Sequence, residues 1–375
     1  MKVVLIGPTY PYRGGISHYT TLLCRNLREQ NEVKFISFKR QYPKILFPGK
    51  TDKDPSSEPL KIDNVDYLID SLNPVTWMKT AKEIIKYRPD KIIFNWWVAF
   101  WTPQMLAIIN RVKKKIDAEI VVVCHNVVEH ESSKLKAVLT RLVLSKADRL
   151  ITHSQAETDK CVKLLGENAN VITAFHPTYT DLSSGRHNKA QAKEKLGISG
   201  NCLLFFGFVR PYKGLDVLLD AVDLCADKNM TLMVVGEFWK DKQKYIEKIS
   251  QYGIGPRVKI VDRYIPNEDI GLYFAAADIV AQPYISASGS GVCQTAYGFD
   301  RPVIATDVGS LSEVVEDGVN GRLVEPGNAV ALAEAIDDSL KPENLGRFTE
   351  MAGKTKEKFS WAELVDVILS KGPLS

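Results

Sequence analysis

The feature that most constrains the fold is a regular alternation of short β-branched runs with amphipathic stretches along all 375 residues. This alternation is typical of βαβ units and predicts parallel sheets covered by helices. A chain of this length exceeds what one hydrophobic core usually serves, so we expect two domains. Six strands are predicted in each half, at residues 2–7, 33–38, 91–97, 119–125, 150–154, 171–176, 202–209, 231–236, 258–264, 278–282, 302–306 and 321–324.

A polar stretch at residues 180–201 separates the two halves, and its glycine and serine content is typical of a linker. We therefore predict an N-terminal Rossmann-like domain over residues 1–180 and a C-terminal one over residues 181–358. The final segment includes FSWAELVDVILSKG, where Ser360 can cap an amphipathic helix within residues 359–375. The apolar face of that helix needs a packing partner and comprises Trp361, Leu364, Val365 and Ile368.

Cysteine spacing and hydropathy indicate the cellular setting. The six cysteines lie far apart without a CxxC pair, which argues against a disulfide framework or a zinc site and favours a reducing cytoplasm. The N-terminal run MKVVLIGPTYP is too short for a signal peptide or a spanning helix. No later segment reaches the roughly 20 apolar residues that a membrane span needs. We therefore expect a cytoplasmic protein.

The positive charge is concentrated in the first half of the chain. Residues 1–180 hold 27 Lys and Arg against 18 Asp and Glu, whereas the remaining residues hold 22 against 27. Such an asymmetry often marks a surface that meets an anionic partner, either a nucleic acid or a membrane leaflet, although chance scatter of solvated charges explains it equally well. Because no nucleic-acid recognition motif accompanies the charge, we expect no nucleic-acid partner.

The loops that follow strands are the places to search, because ligands of doubly wound sheets bind at the carboxyl ends of the strands. After the first strand, Gly14 and Gly15 precede a helix, which favours anion binding, although a plain glycine turn would look the same. At the end of the fourth strand, His125 can hydrogen-bond a sugar hydroxyl or position a reacting group. A structural histidine is the alternative there.

Two loops of the second half suit a diphosphate. Arg210 and Lys213 follow Gly207 at the end of a strand, and a fork-shaped cation beside a point charge can neutralise two phosphates. In the other loop, small residues leave room for an anion to reach the N–H groups of the next helix. These small residues are Ser288, Gly289, Ser290 and Gly291.

Two acidic features have simpler interpretations. Glu313 stands in the first turn of a predicted helix, where its negative charge interacts favourably with the helix dipole. The alternative is that its carboxylate accepts a hydrogen bond from a ribose or a sugar. The string Asp52, Lys53, Asp54 resembles a metal-binding DxD motif but lies among Lys, Pro and Ser rather than at a strand end. We therefore expect no metal site.

Four segments together resemble glycosyltransferase family 4, whose members have the GT-B fold. They are the glycines near residue 14, CHNV at 124–127, GFVRPYKG at 207–214 and the most specific one, RPVIATDVGSLSEVVEDGVNGRLVEPGN, at 301–328. The resemblance implies an α/β protein in which two Rossmann-like domains with parallel sheets face a central cleft. It also implies that the C-terminal helix crosses back to the first domain.

The resemblance further implies transfer of a sugar from a nucleotide-diphosphate donor, a UDP- or GDP-sugar, without a metal or other cofactor and with retained anomeric configuration. Arg210 and Lys213 would neutralise the leaving diphosphate, and His125 would contact the transferred sugar. The donor-binding residues that the resemblance implies are Gly14, Gly15, Gly207, Ser288, Gly289, Ser290, Gly291, Val292 and Glu313.

Three departures from the family pattern weaken the donor assignment. The two positions where the family carries glutamates correspond to Ala287 and Thr295, and the cation that often follows the strand glycine is replaced by Phe208. The missing carboxylates leave the donor's sugar and base open. They also keep in view a non-catalytic nucleotide-sugar-binding or scaffold protein. A GT-B-like sugar-nucleotide epimerase is a further alternative, but it would need catalytic acids of its own or a cofactor lysine, which the sequence does not place.

On the acceptor side, Asn95, Trp96 and Trp97 end the third predicted strand and can line a saccharide site, although core burial explains the tryptophans equally well. Residues 133–146 form a basic amphipathic helix that can lie on an anionic membrane. An ordinary surface helix has the same pattern. We expect a saccharide or lipid-linked acceptor, contact with the inner membrane face, and a role in polysaccharide or glycolipid biosynthesis.

Overall fold

The computed structural model of the chain describes residues 1–43, 51–127, 133–183, 187–287 and 289–370. The chain divides into two compact units. The first comprises Met1–Pro55, Pro59–Phe175 and the segment from Trp361 onward, and the second comprises Ser56–Glu58 and His176–Ser360. Each unit has its own sheet and is described by itself. No helix within the described ranges is long and apolar enough to cross a lipid bilayer.

The first unit is built around a seven-stranded parallel sheet with the strand order β3-β2-β1-β4-β5-β6-β7. Its strands are β1 Lys2–Ile6, β2 Glu32–Arg40, β3 Val65–Asp70, β4 Lys91–Trp96, β5 Glu119–Cys124, β6 Arg149–Thr152 and β7 Val171–Thr173. Its helices are α1 Gly15–Arg28, α2 Pro74–Tyr87, α3 Thr102–Lys113, α4 Lys134–Leu144, α5 Gln155–Leu165 and α14 Trp361–Leu369.

The edge strand β3 is the one strand of this sheet that the sequence did not predict. Its burial is mostly intermediate, and only Ile69 is fully buried. Asp66 forms an ion pair with Lys34 of the neighbouring β2 at 2.8 Å. An edge strand that is only half buried does not need a continuous apolar run, so its sequence carries little strand signal.

Helix α14 packs on α1, where the ring centroids of Trp361 and Tyr19 lie 5.2 Å apart. This packing buries the apolar face of α14, including Leu364 and Ile368. On the opposite face of the first sheet, α2, α3 and α4 cover the alternate strand residues in one hydrophobic cluster. Both faces of the sheet are therefore closed by helices, as expected for parallel strands.

The second unit contains a six-stranded parallel sheet with the strand order β10-β9-β8-β11-β12-β13. Its strands are β8 Cys202–Phe206, β9 Thr231–Val235, β10 Val258–Val261, β11 Ile279–Gln282, β12 Val303–Thr306 and β13 Gly321–Val324. Its helices are α6 Lys189–Leu196, α7 Leu215–Leu224, α8 Lys242–Gln251, α9 Asn267–Ala276, α10 Gly291–Gly298, α11 Leu311–Val314, α12 Ala329–Ser339 and α13 Pro342–Thr355. All six strands predicted for this half are present, so the α/β class with two parallel sheets is confirmed.

The side chains of this sheet alternate between two hydrophobic clusters. Leu203 and Phe205 pack with α7, α8 and α12 on one face, whereas Leu204 and Met233 pack with α9, α10 and α13 on the other. Helices on both faces fix the strands and leave the loops at their carboxyl ends for ligand binding.

Candidate functional site

The strand order of the second sheet reverses between β8 and β11, and this switch point is where ligands bind in open α/β sheets. The loops that leave these two strands are locked together. Ile285 N–H donates to the Tyr212 carbonyl at 2.7 Å. Gly214 has a φ of 71°, and a Cβ there would lie only 1.8 Å from the Pro283 carbonyl oxygen. Only glycine allows so close an approach, which brings the Arg210–Lys213 turn against the loop after β11.

Among the side chains of these two loops, Lys213 combines burial with a positive charge. It is only 9% exposed, and it forms no ion pair or hydrogen bond through its ammonium group with the described residues. Its Nζ lies 5.3 Å from the centroid of the Tyr284 ring. Burial lowers the pKa of Lys213, and the nearby charge of Arg210 lowers it further, while Tyr212 opposes the shift. A bound anion would supply the missing partner.

The N-terminus of α10 lies beside this ammonium group. A Cβ at Gly207 would be 3.0 Å from Lys213 Nζ and 3.6 Å from Val292 Cγ2. Ser290 caps the helix by accepting a hydrogen bond from Cys293 N–H at 3.4 Å. The N–H groups of Gly291 and Val292 donate to no acceptor within the described residues. Lysine and helix N-terminus thus form an arrangement that suits a phosphate.

The remaining predicted donor residues lie around this centre or outside the described residues. A Cβ at Gly289 would lie 3.3 Å from Ser310 Oγ, so the loop that carries Gly289 lies close to the start of α11. Glu313 lies in the first turn of α11. Ser288 is outside the described residues. Arg210 lies with its guanidinium carbon 5.0 Å from the ring centroid of Trp239. The donor-binding roles stay predictions.

The two positions that lack the family glutamates have structural uses. Ala287 is buried in the hydrophobic cluster beside α10. The Thr295 hydroxyl donates to the Gly291 carbonyl at 2.7 Å, within the first turns of α10. Neither side chain offers a negative charge to a ribose or a sugar. The groups of this site that suit a phosphate are Lys213 and the N-terminus of α10, and neither group is a carboxylate.

In the first unit, Gly14 and Gly15 begin α1 after the β1 loop. Gly14 has a φ of 108°, and a Cβ on either glycine would meet no atom of the described residues within 4 Å. The Asp52–Asp54 string braces the preceding loop, because Arg13 N–H donates to the Asp52 carbonyl and Asp54 N–H donates to the Pro11 carbonyl. Among the described residues, no group of three or more His, Cys, Asp or Glu could hold a metal ion.

His125 follows β5 and is oriented by Asn95. The Asn95 amide nitrogen donates to the Ile6 carbonyl at 3.2 Å, so its oxygen faces His125 Nε2 at 3.0 Å and accepts the Nε2 proton. Tyr19 packs edge-on against the imidazole ring at 4.5 Å. The nearby His153 is buried, and burial lowers its pKa to about 4, so it places no positive charge beside His125 at neutral pH.

The proposed acceptor residues are largely buried. Trp96 is 1% exposed and belongs to the core of the first unit. The Trp97 indole N–H donates to the Tyr42 hydroxyl at 2.7 Å, and Asn95 is used to orient His125. These contacts favour the packing interpretation that the sequence left open. The acceptor role of the three residues stays a prediction.

The sequence did not single out the aromatic side chains that surround the predicted cations. Tyr284 faces Lys213, while Tyr212 and Trp239 contact Arg210. All three come two to six residues after the last residue of a strand. Position after a strand was therefore the available signal, but the sequence does not tell which of these aromatics meets a cation.

The comparisons with known proteins agree with this geometry. Residues 200–341, which contain the site of the second unit, match the family model described as glycosyl transferases group 1. A D-inositol 3-phosphate glycosyltransferase from Rhodococcus jostii (strain RHA1) is 31% identical over 239 residues, which cover 60% of this chain and 52% of that protein. One from Catenulispora acidiphila is 30% identical, with 61% and 57% covered. The chain spans about half the length of these curated relatives.

Solved structures match the chain over nearly its whole length. Sucrose-phosphate synthase from Thermosynechococcus elongatus has a TM-score of 0.73 at 20% identity and covers 98% of this chain and 96% of its own. The Anabaena protein HepE in complex with UDP and glucose has a TM-score of 0.74 at 18% identity and covers 98% of both chains. At these identities the similarity establishes the fold, and the predicted GT-B class is confirmed.

Proposed function

We propose that the chain transfers a sugar from a nucleotide-diphosphate donor to an acceptor hydroxyl group, and the match of residues 200–341 to the model of glycosyl transferases group 1 supports this proposal. One observation carries the proposal. Lys213 is a buried ammonium group without an anionic partner among the described residues, beside the N-terminus of α10. Burying an unpaired charge is costly, and a diphosphate that binds there removes this cost.

In the proposed reaction, the bond between the anomeric carbon of the sugar and the diphosphate oxygen breaks, and a new bond forms to the acceptor oxygen. Negative charge grows on the leaving diphosphate. Lys213, Arg210 and the N–H groups of Gly291 and Val292 stabilise this charge without reorganising during the reaction. The family resemblance assigns the contact with the transferred sugar to His125, which Asn95 orients within the first unit. The acceptor proton passes to the leaving phosphate or to solvent.

We propose a UDP- or GDP-sugar as the donor and retention of the anomeric configuration, both of which rest on the family resemblance. HepE, which has a similar fold, has been crystallised with UDP-glucose, and this supports a uridine nucleotide. The curated relatives are glycosyltransferases named for D-inositol 3-phosphate, so a phosphorylated polyol is an acceptor to test.

The test is donor turnover. We expect slow hydrolysis of one nucleotide sugar with release of the nucleoside diphosphate, and Arg210→Ala with Lys213→Ala should abolish it while the melting temperature stays within a few degrees. Lys354→Ala removes an exposed cation of the same unit and should retain wild-type turnover. If the double variant also retains wild-type turnover, the site assignment is wrong. Binding without turnover for any acceptor would instead favour the scaffold alternative.

A membrane-bound acceptor is the second part of the proposal, and α4 supports it. Val143 and Leu144 of this helix pack into the core, whereas Leu135, Val138 and Leu142 remain 66%, 55% and 46% exposed. The helix contains no acidic residue. An ordinary amphipathic helix would bury this apolar face. We therefore propose that α4 contacts an anionic membrane surface, where a lipid-linked saccharide would be presented.

Vesicle co-sedimentation tests the membrane contact. Binding should be strong for vesicles rich in phosphatidylglycerol, weak for pure phosphatidylcholine, and lost in Leu135→Glu with Leu142→Glu. Leu224 is a matched control, because it is 53% exposed on α7 of the second unit. Leu224→Glu should bind vesicles as the wild type does. Equal binding by the double variant, or no binding to either vesicle, would refute the membrane contact.

A further inference from the structure

Arg210 is held by aromatic rings rather than by a carboxylate. Its guanidinium carbon lies 5.0 Å from the ring centroid of Trp239 and 5.2 Å from that of Tyr212. Within the described residues, the Arg210 side chain forms no ion pair and no hydrogen bond. All five of its N–H donors are therefore available for a ligand.

The Trp239 ring has its own support. The Phe208 ring lies 4.8 Å from it between centroids, at an interplanar angle of 43°. The Trp239 backbone N–H donates to the Val209 carbonyl at 3.4 Å. In the preceding residue, Phe238 N–H donates to Asp262 Oδ1 at 2.9 Å. The loop that carries Trp239 is thus fixed between β8 and β10.

Tyr212, the second residue whose ring contacts Arg210, is also held in place. Its carbonyl accepts the hydrogen bond from Ile285 N–H at 2.7 Å, and its ring packs edge-on against Tyr284 at 6.2 Å. The contact between Tyr284 and Lys213 then continues the same aromatic set. Two cations and the rings that contact them therefore form one connected cluster at the carboxyl edge of the sheet.

Aromatic faces hold a guanidinium group without cancelling its charge. A carboxylate partner would fix Arg210 equally well, but it would occupy the N–H donors and neutralise the field that a diphosphate needs. A ring attracts the cation through its quadrupole and leaves the edge of the guanidinium plane open. This arrangement fixes a flexible side chain and keeps it able to bind an anion.

This arrangement also explains Phe208, which stands where the resembling family often carries a cation. We propose that Trp239 and Tyr212 are positioning residues that hold Arg210 for the diphosphate, and that Phe208 supports Trp239. The charge that the family places directly after the strand glycine is thereby supplied from two residues later. The inference rests on the proposed function, because it assumes that a diphosphate binds beside Arg210.

The experiment is a double-mutant cycle with inorganic pyrophosphate, whose affinity is measured by isothermal titration calorimetry. Trp239→Leu should weaken binding between about 2-fold and 30-fold, the range expected for a cation–π contact. In the Arg210→Ala background, the same substitution should have no further effect, because Trp239 acts through Arg210. Trp239→Phe retains an aromatic face and should restore most of the affinity.

Pyrophosphate separates this role from a direct contact with the nucleobase. If Trp239 stacked on the base, Trp239→Leu would weaken UDP binding but leave pyrophosphate binding unchanged, and the proposal would be overturned. Additive losses in the cycle would overturn it too. Tyr252→Leu is the control, since the Tyr252 ring contacts a different cation, Lys248 at 5.8 Å, and its hydroxyl donates to Asp220, so its loss should leave the affinity unchanged.

Two further outcomes bear on the proposal. If Trp239→Leu lowers the melting temperature so far that binding cannot be measured, Tyr212→Leu takes its place in the same cycle with the same expected result. If the wild-type protein binds neither pyrophosphate nor any nucleoside diphosphate, the proposed function fails, and this inference fails with it. Wild-type binding that is insensitive to Trp239→Leu and Tyr212→Leu refutes the positioning role alone.

Discussion

At the scale of single residues, Lys213 combines burial with a positive charge that no described side chain neutralises. Burial is the largest cause of its lowered pKa, because the charged form loses hydration. A ligand phosphate reverses this penalty and holds the proton. The affinity for a diphosphate should therefore depend on pH through this one ammonium group.

The first prediction is that the affinity for UDP falls as pH rises through the lowered pKa of Lys213, below the pH at which an ordinary lysine titrates. Above pH 8 the phosphates of UDP are fully ionised, but the uracil N3–H loses its proton in the same range and affects both proteins alike. Titration calorimetry between pH 8 and 10 therefore compares the wild type with Lys213→Arg, which keeps its charge over this range and should show the smaller decline. An equal decline in both proteins would contradict the prediction.

The stability of the ligand-free protein should depend on pH with the opposite sign to the ligand affinity. The unfolded chain binds the Lys213 proton more tightly than the folded protein does. The free energy of unfolding should therefore rise with pH between the lowered folded pKa and the ordinary value, while ligand affinity falls in the same window. The two trends have opposite signs and a common cause.

The second prediction concerns Gly15, the first residue of α1. Since a Cβ there would meet no atom within 4 Å in the part of the chain that the structure describes, Gly15→Ala should not destabilise the fold and should raise the free energy of unfolding by up to about 1 kcal/mol. If a donor phosphate or sugar approaches this backbone, turnover should drop at least about tenfold, because the methyl group fills the space.

The control for Gly15 is another helical glycine with open surroundings. A Cβ at Gly346 in α13 would likewise meet none of the described atoms within 4 Å. Gly346→Ala should stabilise the protein similarly without loss of turnover. If Gly15→Ala has full activity as well, the glycines before α1 are a plain turn, which is the alternative that the sequence left open.

At the scale of elements, α14 is fixed at its C-terminus by two buried cations. Arg149 donates to the Val367 carbonyl at 3.1 Å and to Ser370 Oγ at 2.9 Å, and Lys91 donates to the Ser370 carbonyl at 3.1 Å. Both cations also pair with Glu119. Cations at this end donate to carbonyl groups that have no partner within the helix, and they interact favourably with the negative end of the helix dipole.

The third prediction is that Arg149→Ala lowers the free energy of unfolding by about 3 kcal/mol, because it removes charged hydrogen bonds and breaks a buried ion pair. Urea denaturation measures the loss, and limited proteolysis should cut near α14 sooner. Arg141→Ala removes an exposed arginine from α4 and should change stability by less than about 0.5 kcal/mol. Similar small effects for both variants would show that the cluster does not hold the helix.

At the scale of the whole molecule, the sequence predicted the fold because buried parallel strands carry strong apolar runs. Strands such as Glu119–Cys124, with nearly every residue buried, produce that signal. The edge strand Val65–Asp70 lacks it. Spacing after strand ends was enough to place Arg210 and Lys213 at the carboxyl ends of the second sheet's strands, since all these ends lie on one side of a parallel sheet.

The neighbours of the two cations were beyond the sequence. Tyr284 meets Lys213, and Trp239 meets Arg210, only because β8, β9 and β11 lie side by side in an order that differs from chain order. Nor does the sequence show that the Thr295 hydroxyl is bonded to the helix backbone. Contacts between residues far apart along the chain require the strand order and the register.

The fourth prediction identifies the donor through the stability of the whole chain. A ligand that binds only the folded protein raises the free energy of unfolding by about 2.7 kcal/mol at 100 times its dissociation constant. In a thermal-shift screen over UDP-, GDP-, ADP- and CMP-sugars, we expect a shift of at least about 2 °C for a UDP- or GDP-sugar. Since Lys213 and Arg210 bind the diphosphate in this proposal, Arg210→Ala with Lys213→Ala should lose the shift, whereas Lys354→Ala should keep it. A shift that survives in the double variant would mean that the nucleotide binds elsewhere.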